Sequence, residues 1–152
     1  MVVALTREIA APAERVWRLA VDWERQSAWI PATTVRLLPG PREGIGTRVE
    51  AVTGVGPLRL LVDPMEVVEW DPPRLCVTRH DGNVLRGTGT FGVEPLGRDR
   101  CRFTWREDLE LPGGRLVGGV YRVGSRLSTP FLAYAVGRLA RLAASPDEAR
   151  RS

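Results

Sequence analysis

Between Thr33 and Leu111 the chain is cut by turn signals into short runs rich in β-branched and apolar residues. The breaks fall at Pro39-Gly40-Pro41, Gly54-Val55-Gly56-Pro57, Asp71-Pro72-Pro73, Asp81-Gly82-Asn83 and Leu96-Gly97-Arg98-Asp99. Proline cannot donate to a strand ladder, and glycine, asparagine and aspartate accept turn conformations, so such clusters end strands. Spacing this tight leaves no room for crossover helices. It argues against alternating βα units and for an antiparallel meander. The pattern predicts strands near 33–38, 46–53, 57–69, 74–80, 84–95 and 100–111.

The flanks have a different texture. Val2 to Ile9 reads as a first strand, broken by Ala10-Ala11-Pro12. Pro12 suits a helix start, and Glu14 falls in the first turn, where a carboxylate favours the helix dipole. A short helix through Val16, Trp17 and Leu19 follows. Asp22 is placed to cap a second one that Pro31 stops. Beyond Pro112-Gly113-Gly114 the period turns helical, with Leu116, Val120, Val123 and Leu127 at three- and four-residue steps. Pro130 should kink this helix without ending it, because Phe131 to Leu142 keeps the same period. Residues 1–145 are expected to form one domain and 146–152 a polar, frayed tail.

Composition narrows the function classes. The chain has 152 residues, 43% hydrophobic and 26% charged, enough for one buried core. No run approaches the roughly 18 apolar residues of a membrane helix. Arg7 and Glu8 interrupt the first segment, so it lacks a secretory leader core and a cytoplasmic place is expected. Transient contact with a membrane stays open. Cys76 and Cys101 stand apart and His80 is the single histidine, which disfavours zinc sites and disulfide frameworks. No metal and no cofactor are expected. The net charge of +4 comes from scattered arginines with no lysine, not from a clustered patch, so nucleic acid is not expected as a partner.

The element order, a strand, two short helices, a six-strand meander and a long terminal helix, suggests an α+β grip fold. Ile9-Ala10-Ala11-Pro12-Ala13-Glu14-Arg15-Val16-Trp17 resembles the polyketide cyclase/dehydrase branch of the START-like helix-grip superfamily, the one that includes the birch-pollen allergens. Asp22-Trp23-Glu24 and Trp29-Ile30-Pro31 fit the helix pair that follows. Gly44-Ile45-Gly46-Thr47 fits the approach to the third strand, and Trp70-Asp71-Pro72-Pro73-Arg74 the turn into the fifth. The likeness spans nearly all of residues 1–145. It implies a curved seven-stranded antiparallel sheet around a long C-terminal helix, with an apolar cavity between them. It does not imply one activity, since relatives include cyclases, lipid carriers, hormone receptors and chaperone activators.

Side chains alternate across a strand, so each strand's apolar phase predicts its cavity face. That phase gives Thr47, Val49 and Ala51 in the third strand and Leu58, Leu60 and Val62 in the fourth. The sixth gives Leu85, Gly87, Gly89, Phe91 and Val93. The seventh gives Cys101, Phe103, Trp105, Glu107 and Leu109. From the helices, Trp23, Trp29, Tyr121 and Phe131 could cap or floor the space, though aromatics at helical spacing are more often plain core. Arg79 continues the Leu75–Val77 phase, so Arg79 and Glu107 could meet across Gly87 and Gly89 as the polar anchor of the pocket. The competing reading puts both at a solvated rim. His80 falls in the opposite phase and reads first as a surface histidine, unless a bulge at Asp81-Gly82 turns it inward.

Two functions fit these residues. One is a binding module for a lipid, isoprenoid, quinone or polyketide-like molecule, with Arg79 and Glu107 orienting its polar end. The other is an aromatase/cyclase or dehydratase, with Glu107 or His80 moving the proton and Arg79 stabilising an oxyanion. A protein-interaction domain is a third class, without a residue that points to it. Gly87-Thr88-Gly89-Thr90-Phe91-Gly92 matches a dinucleotide fingerprint but lies inside a strand pattern and opens no helix, so it is rejected. Oligomeric state is not readable from these residues.

Overall fold

A computed structural model describes residues 1–110 and 117–150, with side chains described outside 117–127 and 148–149. Seven strands form one antiparallel sheet: β1 (Val2–Ile9), β2 (Thr33–Leu37), β3 (Arg48–Val55), β4 (Leu58–Asp71), β5 (Leu75–Asp81), β6 (Arg86–Gly97) and β7 (Arg100–Glu110). Their order is β1-β7-β6-β5-β4-β3-β2, so the meander from β2 to β7 closes with β1 laid against the last strand. Between β1 and β2 stand α1 (Ala13–Val21) and a 3-10 helix (Trp23–Ala28). The long α2 (Val117–Ala143) runs on through Pro130, and a short α3 (Pro146–Arg150) occupies what the sequence suggested was a frayed tail. This is the helix-grip fold, and every expected strand is present.

Local chemistry accounts for the joints. Pro12 stands at the N-cap of α1, and its carbonyl accepts from the amides of Arg15 and Val16. The helix buries Val16, Trp17, Leu19 and Ala20 along one stripe. Asp22 occupies the cap position of the 3-10 helix, but its side chain makes no capping bond. The buried Gln26 amide instead donates to the Ala20 carbonyl at 2.7 Å, tying the two helices together. Arg15 Nη1 donates to the Ala143 carbonyl at 3.0 Å, satisfying an acceptor that the end of α2 leaves open.

The ladders are interrupted at three places. Extra residues stand at Leu60 and Val68 on β4, the first opposite Thr53 and Gly54 of β3, and at Leu96 on β6. Each extra residue bends its strand and increases local twist. α2 contributes Leu132, Ala135, Val136, Leu139 and Ala143 to the core, all buried at three- and four-residue steps. An aromatic cluster fills one region beneath the sheet. Trp29 lies 5.8 Å from Phe91 and 5.5 Å from Trp105 between ring centroids, and Phe91 lies 5.7 Å from Phe103. On the outer face, cross-strand pairs such as Arg36–Glu50, Arg79–Glu66 and Arg102–Glu94 take up several of the scattered arginines.

Two glycines of β6 differ sharply in what they permit. Gly87 holds φ at +117°, and a Cβ there would sit 2.0 Å from the Asp108 carbonyl oxygen. At Gly92 a Cβ would meet only the Thr104 Cβ, at 3.8 Å. Gly87→Ala should therefore cost at least about 2 kcal/mol through strain and overpacking, while Gly92→Ala should change stability by less than about 1 kcal/mol. Urea unfolding of the two variants checks this, and equal losses would refute the geometry of β6.

Candidate functional site

A cavity of about 590 Å³ lies between the sheet and α2. Its walls are mostly apolar: Val35, Ala51 and Leu61 from β2 to β4, Phe91 and Trp105 from the middle of the sheet, Phe131 and Leu132 from α2. Polarity is concentrated where Asp63, His80 and Glu107 come together.

Strand pairing builds that cluster. β6 separates β5 from β7, with Thr78 and Glu107 both opposite Gly89 and His80 opposite Gly87. Strands on either side of a third are roughly 10 Å apart, so side chains meet across it only if the middle strand leaves room. Gly89 leaves it. A Cβ there would lie 3.0 Å from Thr78 Oγ1 and 3.1 Å from Glu107 Oε2. His80 Nε2 thus reaches Glu107 Oε2 at 3.0 Å, and His80 Nδ1 reaches Asp63 Oδ2 on β4 at 2.8 Å. Trp105 Nε1 donates to the second Glu107 oxygen at 2.5 Å. His80 and Asp63 are only 6% and 7% exposed.

Burial is the largest influence on the His80 ring and pushes its pKa down. Hydrogen bonds to Asp63 and Glu107, and the charges of both, together outweigh it and hold the pKa up at about 10. The ring is therefore an imidazolium at neutral pH, donating from both nitrogens. Burial alone pushes the Cys76 thiol, on the cavity wall, up to about 12, which leaves it an unreactive thiol.

The structure redistributes the residues expected at the site. Ala51, Leu85, Phe91, Trp105, Glu107 and Phe131 line the cavity. Val49, Phe103 and Trp29 are fully buried in the core beside it and do not line it. Tyr121 falls outside the residues whose side chains are described. Leu60 and Val62 are corrected: they are 65% and 39% exposed, while Leu61, Asp63 and Met65 face inward. The bulge is the reason. Thr53 pairs with Leu61 whereas Gly54 pairs with Arg59, so Leu60 is the extra residue and the side chains from Leu61 to Val67 change face.

Arg79 is corrected too. It lies on the outer face, with Nε 2.8 Å from Asp81 Oδ1 and Nη2 3.0 Å from Glu66 Oε2. β5 keeps a regular register against β6 from Leu75 to Asp81, so Cys76, Thr78 and His80 share the inner face without any bulge at Asp81-Gly82. The surface position expected for His80 does not hold. Sequence reasoning missed Asp63 altogether. Its signal was a single acid inside the apolar run Leu60 to Met65, which reads as a polar outer position unless the bulge is known.

A curved antiparallel sheet closed by a helix over an apolar cavity is the helix-grip architecture. The chain belongs to the polyketide cyclase / dehydrase and lipid transport family, whose family model matches residues 1–144. Among solved structures it is similar to a protein from Thermus thermophilus, with 25% identity over 95% of this chain and 99% of that one and a TM-score of 0.78. It also resembles the Zhui aromatase/cyclase from a Streptomyces species, with 20% identity over 92% and 86% of the two chains and a TM-score of 0.63. A START superfamily protein from Mycobacterium smegmatis shares 21% identity over 93% and 98%, with a TM-score of 0.65. No curated protein matches the sequence. Among the described residues no helix is long and apolar enough to cross a membrane.

The His80 cation makes stability pH-dependent with a definite sign. Its folded pKa of about 10 lies above the ordinary 6.5, so its contribution is complete below pH 6.5 and is lost as pH rises through 10. The stability gap between the native protein and His80→Asn should therefore narrow steadily from pH 6.5 to 10. Because His80 is the only histidine, its ring proton resonance is unambiguous and should still report a cation at about pH 8. A ring that titrates near its ordinary value would contradict the buried pairing.

Proposed function

We propose that this protein binds a small hydrophobic molecule, of lipid, isoprenoid, quinone or polyketide-like character, with its polar end against the Asp63–His80–Glu107 cluster. The observation that carries this reading is an apolar space of about 590 Å³ with its charged groups gathered at one place. That volume falls within the roughly 300–1,000 Å³ of small-molecule sites. Apolar burial supplies most of the affinity, at roughly 25 cal/mol per Å² before the costs of association. Family membership and fold support the same role.

The cluster also favours a second reading, catalysis on a poly-β-keto chain. A buried ion pair is seldom a net gain in stability over apolar residues of the same size, so its presence in a cavity wall points to chemistry or recognition. In this reading a Glu107 or Asp63 oxygen takes an acidic α-proton, and the His80 imidazolium supports the enolate through the carboxylate it holds. Arg79 has no part in it, since it lies on the other side of the sheet. The resemblance to an aromatase/cyclase is compatible with this chemistry but stands at fold level.

Nile red added to delipidated protein should bind at one equivalent and quench tryptophan emission, because Trp23 and Trp105 line the cavity. Ala51→Trp combined with Thr53→Phe fills space beside β3 and should weaken binding at least tenfold while far-UV circular dichroism stays the same. Undiminished binding in that double variant would place the dye elsewhere and remove the support for the cavity. Native mass spectrometry with a synthetic poly-β-keto thioester separates the two readings: an intact complex supports carriage, and loss of water with a cyclised product supports catalysis.

A further inference from the structure

The polar cluster has an unfilled hydrogen-bond position. Asp63 gives Oδ2 to His80 Nδ1, but Asp63 Oδ1 is buried with no hydrogen-bond partner among the described residues. The residue is 7% exposed and lines the cavity. A buried carboxylate oxygen without a donor is costly, and folded proteins rarely leave one so.

The ring hydrogens of His80 and Trp105 are already committed. His80 donates from both ring nitrogens to carboxylates, and Trp105 Nε1 donates to Glu107 Oε1. Thr78 Oγ1, beside Gly89, donates to the Gly89 carbonyl at 3.3 Å, and the Gln26 amide donates to the Ala20 carbonyl. What remains in the cluster is acceptor capacity: the unpartnered Asp63 Oδ1 and the second lone pairs of the other carboxylate oxygens. Two carboxylates around one imidazolium also leave one negative charge in excess, and none of the described lining residues is an arginine.

We infer that the molecule held here ends in a hydrogen-bond donor, a hydroxyl, phenol or protonated amine, that bonds the Asp63 carboxylate, and that carboxylates, phosphates and sulfonates are rejected. The inference rests on the cavity-binding reading and sharpens it by fixing the polar chemistry of the ligand. An incoming anion would meet the excess negative charge in an apolar surround, where repulsion is weakly screened. A donor completes the valence of a charged acceptor, the kind of hydrogen bond that contributes more than a neutral pair does.

The test uses the full chain at pH 7.5 and two matched ligand series read by tryptophan quenching and calorimetry. One series is 2-naphthol, 2-naphthylmethylamine, 2-methoxynaphthalene and 2-naphthoate. The other is 1-octanol, octylamine, methyl octyl ether and octanoate. In each, the hydroxyl or amine member should bind at least about tenfold tighter than the ether, and the carboxylate should bind more weakly than the ether. The hydroxyl and amine arms distinguish an alcohol or phenol from an amine as the donor. Asp63→Asn should cut the donor advantage about tenfold, whereas Glu66→Gln, on the outer face against Arg79, should keep it. Should Asp63→Asn fail to fold, the two series on the unaltered protein still decide the matter.

Ethers that bind as tightly as the donors, or tightly bound carboxylates, overturn the inference and leave the cavity reading in place. A donor preference that survives in folded Asp63→Asn overturns the assignment to Asp63. Failure of every member of both series to bind removes the cavity reading itself.

Discussion

Everything distinctive in this molecule depends on one buried cation held between two buried carboxylates. An imidazolium taken out of water alone would lose its proton, and a carboxylate taken out alone would gain one. Together, at 2.8 and 3.0 Å, each makes the other's charge tolerable. The three side chains come from β4, β5 and β7, so the charge set joins strands that do not all touch. Gly89 on the intervening strand gives it room, since a Cβ there would crowd the Glu107 carboxylate at 3.1 Å.

The container around that set is a consequence of strand irregularity. A flat sheet packed on a helix would fill its interior with side chains, as ordinary cores do. Here two bulges on β4 and one on β6 bend the sheet, and the aromatic cluster of Trp29, Phe91, Phe103 and Trp105 packs only one part of the enclosed space. The rest is the cavity. The fold, shared with many proteins of different activity, supplies the enclosure. Asp63, His80 and Glu107 supply the polar wall, and function must be argued from there.

The architecture was largely legible in the sequence, and the interior was legible only in part. Val2–Ile9 was readable because apolar residues stop at a proline break, and the meander because each turn carries its own proline, glycine or aspartate. The faces of β3, β6 and β7 followed from apolar alternation. β4 and β5 did not, because both of their phases carry apolar residues and the inward one also carries Asp63, Thr78 and His80. Alternation assumes that polar means outward, and a polar site in a cavity wall violates that assumption. The bulge at Leu60 compounded the error, since one unpaired residue reverses the side chains that follow it as far as the next bulge and leaves no local mark in composition. The idea that side chains would meet across Gly89 was right about the place and wrong about one partner: His80 meets Glu107 there, and Arg79 is outside.

Trp105 belongs to two systems at once. Its ring packs on Trp29 and Phe91 in the filled part of the interior, while its indole nitrogen fixes one oxygen of Glu107. Hydrocarbon packing therefore sets the bearing of a carboxylate that faces the ligand. Exchanges among neighbouring aromatics could retune selectivity by tilting that indole, with no polar residue altered. Descendants of this chain have a route to new cargo that a comparison confined to charged positions would overlook.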